Sequence, residues 1–241
     1  MNFKRKGYPG NKNISSLYPN ILNEFPPHKV YWELFAGSGQ ILKKKKPAAL
    51  QIAIEINNCE ISVINNYPSG TVLICDSVFN WLPDIQELGK DHLFYFDPPY
   101  LHSTRQGSKN LYLNELSDNE HMSLIEGLKK MKSNVVVSHY PCELYDQLLN
   151  FGWRKKEVNV CYHGKVKTEA IYLNFPVPDQ LNETTYTGQN KMHRQRIKRK
   201  ADSWITRFLQ LPDQEKQVIL TTLATNGFIY QNKLPVPEKD L

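Results

Sequence analysis

The residues best equipped for chemistry are Asp97, Pro98, Pro99 and Tyr100, which follow the apolar run from His92 to Phe96. The run reads as a buried strand. Two prolines end it at once, because proline lacks the ladder donor and stiffens the turn. What is left at the strand's carboxyl end is one carboxylate, one carbonyl and one aromatic ring. In open α/β sheets that edge is where ligands sit. On its own the motif reads equally well as a strand-terminating loop with a capping acid, so the elements around it must decide.

Those elements form a series. Lys29 to Phe35 is a β-rich run feeding Ala36-Gly37-Ser38-Gly39. A strand entering a Gly-x-Gly turn before a helix is how a Rossmann-type sheet brings its backbone close to a nucleotide. The second strand, Leu50 to Glu55, ends in an acid 16 positions after Gly39. There a carboxylate, which offers only acceptors, can take both ribose hydroxyls of an adenosine. The third, Thr71 to Asp76, again ends in an acid, and the fourth carries Asp97. No Gly-Lys-Ser/Thr follows the glycines, so lysines 43–46 read as a solvated helix end and the turn serves a nucleoside without a triphosphate.

Further along, 101–115 is polar and aperiodic, an exposed loop containing Lys109 and Tyr112. Ser117 to Glu120 is a capping box opening a helix. A fifth strand covers Asn134 to Ser138, with His139 at its end. A short helix spans Leu144 to Leu149, and two strands, Trp153 to Tyr162 and Lys167 to Phe175, turn around Gly164. The pattern predicts an α/β fold: a Rossmann-like, mostly parallel sheet with an antiparallel edge hairpin, plus a small C-terminal helical tail. The domains read as 1–176, a linker over 177–190, and a basic helical tail over 191–241. Residues 191–200 hold six Lys/Arg and no acid. They suit a solvated helix face or a phosphate-binding one, with Arg194, Arg196, Lys198 and Arg199 the candidates. The last two helices, about 203–211 and 212–224, are candidates for dimerisation or for a partner.

Composition sets the bounds. The chain has 241 residues, 40% hydrophobic and 22% charged, with a formal net charge of +6 and a pI near 9.0. That balance suits a polyanionic partner. Four scattered cysteines without a Cys-x-x-Cys pair argue against a zinc site or a disulfide scaffold and fit a reducing compartment. With no apolar leader segment and no apolar run near the ~20 residues a bilayer requires, a cytoplasmic, membrane-free and metal-free protein is expected.

Taken in order, Tyr8-Pro-Gly-Asn-Lys12, Glu33-Leu-Phe-Ala-Gly-Ser-Gly39, Glu55, Asp76 and Asp97-Pro-Pro-Tyr100 resemble the Dam-type DNA adenine methyltransferases. The resemblance covers about residues 4–175. It implies S-adenosyl-L-methionine as cofactor, double-stranded DNA as partner, and methylation of adenine N6. It also implies that Tyr8 and Lys12 pack over the cofactor and that Phe35, Gly37 and Gly39 line its methionine end. Glu55 would hold the ribose, Asp76 would lie near the adenine ring, and Lys167 and Glu169 would stand near the active edge. Two departures stand out. Only 20 residues separate Asp76 from Asp97, where the family usually inserts a target-recognition segment, and the basic tail exceeds the minimal pattern. Recognition would then be short, relaxed, or moved to the 101–115 loop and the tail.

On this resemblance the Asp97 carboxylate and the Pro98 carbonyl are two acceptors for the two N–H bonds of an exocyclic amine, and Tyr100 offers a face for a flipped base. Asp97, Pro98, Pro99 and Tyr100 are the expected catalytic residues. An RNA adenine methylase, or a non-catalytic nucleic-acid-binding module of the same fold, is the alternative. A role in restriction-modification, a phage or mobile element, or chromosomal marking fits equally.

Overall fold

A computed structural model describes residues 17–57, 68–105, 111–162 and 165–227. Seven strands form one sheet: β1 (Val30–Leu34), β2 (Leu50–Glu55), β3 (Thr71–Cys75), β4 (His92–Phe96), β5 (Asn134–His139), β6 (Arg154–Tyr162) and β7 (Lys165–Leu173), in the order β3-β2-β1-β4-β5-β7-β6. The first five pair in parallel. β7 runs antiparallel to both β5 and β6. This is the Rossmann-like sheet with an antiparallel edge hairpin that the apolar runs predict. From β1 the chain steps outward to β2 and β3, then returns to lay β4 on β1's other side. That reversal is the topological switch point, where such sheets open a crevice at their carboxyl ends.

The central strands are apolar on both faces because both faces are covered. On one face Trp32, Leu34, Phe94, Phe96, Val135 and Val137 pack against α3 (Val78–Ile85) and α4 (Asp118–Leu128), through Leu82, Ile85, Leu124 and Leu128. On the other, Tyr31, Ala53, Leu93, Tyr95 and Val136 meet Ile21 and Leu22 of α1 (Tyr18–Leu22) and Ile41 and Leu42 of α2 (Gln40–Lys44). The side chains alternate between these layers with the two-residue period of a strand. The capping box forms as read, with Ser117 and Glu120 exchanging hydrogen bonds at the start of α4. A short helix α5 (Glu143–Asp146) runs on into a 3₁₀ turn, Gln147–Phe151.

Three local readings are corrected. Lys45 is not solvated: it is buried, its ammonium lies 4.4 Å from the Tyr31 ring centre, and it donates to Lys46 O and Gln51 Oε1. The segment read as a linker is laid against α1 and α2 as far as Tyr186. Asn182 N donates to Phe25 O (2.9 Å), Asn23 Nδ2 donates to Tyr186 O (2.7 Å), and Lys46 N donates to Glu183 Oε2 (2.9 Å). Finally, the basic run and the first tail stretch are one helix, α6 (Lys191–Leu209), followed by α7 (Asp213–Thr225).

By contact the chain divides into two compact units, 1–187 and 188–241. In the second, neither α6 nor α7 buries a residue. Among the described residues no helix is long and apolar enough to cross a membrane.

Candidate active site

The site is built where β1 and β4 end. After β1 the backbone enters the left-handed region at Phe35 (φ 56°), Gly37 (φ 50°) and Gly39 (φ 63°). The two glycines adopt it freely. Phe35 does so at a strain of about 1–3 kcal/mol, of the kind that clusters at functional sites. The turn is closed by Gly39 N donating to Ala36 O (2.7 Å). It is tied to β2 by Gly37 N, which donates to Glu55 Oε2 (2.8 Å), while Asn57 N donates to Glu55 Oε1 (3.0 Å). Glu55 is thereby fixed at the sheet's carboxyl edge.

Beneath the turn lies a second acid, Glu33, which the motif contained but to which no role was given. Its Oε2 accepts from Tyr31 Oη (3.0 Å) and from Leu42 N (2.6 Å), the latter at the start of α2. Burial pushes its carboxyl up to about 8, against the pull of those two donors and with a further push from Asp97. Glu33 is therefore largely protonated at neutral pH.

Beside the turn is a cavity with apolar walls from Phe35, Ile56, Val78, Phe79, Pro99 and Leu116, and polar groups from Asp76, Ser77, Asn114, Glu115 and Glu120. An apolar slot with a few polar groups suits an adenine ring. Asp76 reaches it, but its carboxylate serves the start of α3, accepting from Ser77 N (2.7 Å), Asn80 Nδ2 (2.8 Å) and Trp81 Nε1 (3.0 Å). These donors hold its pKa below the usual range. The fit to S-adenosylmethionine is good: the oriented acid Glu55 is bonded to the glycine turn, and Phe35 and Ile56, beside them, line the apolar slot. Tyr8 and Lys12 lie outside the described residues.

At the end of β4, Asp97 N donates to Leu34 O (3.2 Å), which brings the Asp-Pro-Pro-Tyr turn against the glycine turn. Asp97 is half-buried, and the three residues after it are buried. Tyr100 is 5% exposed. Its hydroxyl donates to Glu169 Oε2 (2.6 Å), and its ring lies 4.7 Å from that of His139 and 4.6 Å, edge-on, from that of Tyr140. Burial, then Glu169 and Asp97, push the Tyr100 phenol well above its ordinary range, so it stays a donor. The face assigned to a flipped base is thus enclosed, and the half-exposed ring at this edge is Tyr140, with the Lys167 ammonium 5.4 Å from its centre. His139 Nε2 accepts from Leu101 N (3.0 Å) while Nδ1 faces Tyr140 O (2.7 Å). These bonds select the neutral tautomer protonated at Nδ1.

The loop beyond is clamped. Arg105 grips Glu115 with both arms, Nη1 to Oε1 (2.8 Å) and Nη2 to Oε2 (2.6 Å), and Nη2 also reaches Tyr100 O. Burial would raise the Glu115 carboxyl. Arg105 and the N–H groups of Tyr112 and Leu111 outweigh it and hold the group at about 2. Tyr112 lies under the Arg105 guanidinium, 5.2 Å from ring centre to Cζ, so it belongs to the clamp. Lys109 lies outside the described residues. Arg105, Glu115 and Tyr140 were missed. The sole sequence signal for the clamp was an Arg and a Glu flanking a polar loop.

In the tail unit the four candidates separate. Lys198 is paired with Asp202 (2.8 Å), and the Arg194 stem packs over Gly188. Arg196 and Arg199 line one crevice with Lys200, Ser203, Trp204 and Arg207.

The model of the D12 class N6 adenine-specific DNA methyltransferase family, the group suspected from the motifs, matches residues 83–163. No curated protein matches the chain. Among solved structures the chain is similar to TrmN from Thermus thermophilus, at 14% identity and TM-score 0.45 over 64% of this chain and 46% of that one. It is similar to a protein from Streptococcus mutans described as a SAM-dependent methyltransferase, at 11% and 0.45 over 65% and 47%. A precorrin-6y C5,15-methyltransferase from Geobacter metallireducens gives 13% and 0.44 over 70% and 88%. The chain spans about half the length of the first two. The family match points to S-adenosylmethionine as the methyl donor.

Proposed function

We propose that this S-adenosylmethionine-dependent methyltransferase acts on the N6 amine of adenine in DNA. The observation that carries the reading is the junction of Asp97 N with Leu34 O. It sets the Asp97 carboxylate and the Pro98 carbonyl, both within the segment matched by the adenine-specific family, beside the glycine turn that precedes that segment. When bound, S-adenosylmethionine supplies an electrophilic methyl group on a sulfonium.

The amine of adenine is a poor nucleophile because its lone pair is delocalised into the ring. Asp97 Oδ and Pro98 O accept its two N–H bonds and draw the nitrogen towards a tetrahedral geometry, which localises the lone pair on it, so positioning and fixed polarity supply the acceleration. A protonated Glu33 adds no negative charge of its own beside Asp97. Tyr100, locked by Glu169 and His139, braces the turn, and the half-exposed Tyr140 ring offers a face on which a base could stack. A stacked duplex base cannot reach such a turn, so the target nucleotide is flipped out.

The test is to incubate the protein with S-adenosylmethionine and unmethylated duplex DNA or structured RNA, digest to nucleosides, and weigh the products. N6-methyldeoxyadenosine that falls at least ~100-fold in Asp97→Ala is expected. Product confined to RNA would overturn the substrate.

A further inference from the structure

The tail helix carries charge that the transfer chemistry does not use. On α6, Arg196, Arg199, Lys200, Ser203 and Arg207 fall within roughly a 100° arc and, with Trp204, line one crevice. No acid lines it, because Asp202 is turned away to pair with Lys198. Among the described residues none of Arg196, Arg199, Lys200 and Arg207 pairs with a carboxylate. Like charges three and four apart oppose helix formation, so such a stripe calls for an external counter-charge. Trp204, at its border, is 71% exposed. A tryptophan that open to water on a helix that buries nothing has the amphipathic ring favoured at contact surfaces.

We propose that this stripe, with Trp204 at its edge, is a second DNA-binding face that grips the phosphate backbone without reading bases. The choice of DNA rests on the function proposed above. Arg196 to Arg207 spans about 16 Å of helix, over which duplex DNA presents roughly one negative charge per 1.7 Å of its axis. Three of the four cations are arginines, whose forked donors fit phosphate oxygens two at a time. An acidic protein surface offers no such regular row.

The experiment measures the affinity of the full chain for a short duplex, by anisotropy, between about 50 and 200 mM salt. Variants are R196A/R199A/K200A/R207A together, the reversal Arg199→Glu, and Trp204→Phe, with circular dichroism to verify the helix. The fourfold variant should flatten the slope of log affinity against log salt by about 3 and weaken binding at least tenfold at 100 mM. Arg199→Glu should flatten it by about 1 or more. DNA should change tryptophan emission in the parent and not in Trp204→Phe. Unchanged slopes alongside intact DNA methylation would overturn the face and leave the function standing. Slopes that respond with RNA alone would overturn the DNA ligand together with the DNA reading. Tighter binding to polyglutamate than to DNA would also overturn it.

Discussion

Tyr100 and Glu33 show how the proposed chemistry depends on keeping particular groups protonated. The Tyr100 hydroxyl is the donor to a buried carboxylate 69 positions away. Tyr100→Phe withdraws that donor from Glu169, and a buried acceptor that loses a partner costs about 1–3 kcal/mol. At about 2–4 °C per kcal/mol for a domain of this size, thermal melting should fall by roughly 2–12 °C. Methyl transfer should fall as well, because the ring no longer holds the turn. Glu33 gives a sharper test. Its folded value of about 8 lies above the ordinary 4.5, so the folded state holds a proton that the unfolded state releases. The stability it contributes is present below about 4.5 and is lost as pH rises through about 8. Glu33→Gln keeps an acceptor for Tyr31 and Leu42 but has no proton to release. Melting temperature against pH should therefore be flatter for the variant between pH 5 and 8, which a denaturation series at fixed salt would read.

Among the elements, the two segments 101–105 and 111–116 are where local electrostatics set geometry. Arg105 ties Glu115 to the Tyr100 carbonyl, so one guanidinium holds both the loop and the turn after β4. Breaking a buried pair costs about 3–5 kcal/mol, and Glu115's partial exposure brings Arg105→Ala nearer 2. The sign with pH follows from a depressed acid. Stability from Glu115 is present above about 4.5 and lost as pH falls towards 2. Arg105→Ala should thus melt earlier at pH 7 and lose less on acidification, as scanning calorimetry at pH 7 and pH 3 would record. This clamp also marks the limit of what residue order discloses. The strand ends were legible because short apolar runs closed by glycine, Glu55 or Asp97 have few other readings. The pairs Tyr100–Glu169 and Arg105–Glu115 were not, because each joins residues whose approach depends on a crossover or a loop path. Lys45 was misread because a run of four lysines looks solvated until Tyr31 and Gln51 are brought beneath it. The basic run and the amphipathic stretch from about 203 read as separate segments, but no Gly or Pro interrupts 191–209, and one helix runs through both.

Across the whole molecule, the boundary between units follows hydrogen bonds rather than composition. Pro, Thr, Asn and Gly make 177–190 resemble a linker. Yet Asn182, Glu183 and Tyr186 spend their polar groups on Phe25, Lys46 and Asn23, and the Tyr186 ring meets Tyr18 edge-on at 5.3 Å. The strap thereby covers α1 and α2, and α2 carries the glycine turn. Two truncations separate the accounts. A chain ending at Thr187 keeps every one of these contacts and should melt as the full chain does, while losing the part of DNA affinity that varies most steeply with salt. A chain ending at Pro176 loses four hydrogen bonds at about 0.5–1.5 kcal/mol each, the fourth from the Tyr186 hydroxyl to Lys44 O. It should melt roughly 5–10 °C lower and bind S-adenosylmethionine more weakly, because α2 and its turn lose their cover. Equal melting of the two truncations would mean that the strap contributes nothing. A fall for the longer one as well would mean that the first unit does not stand alone.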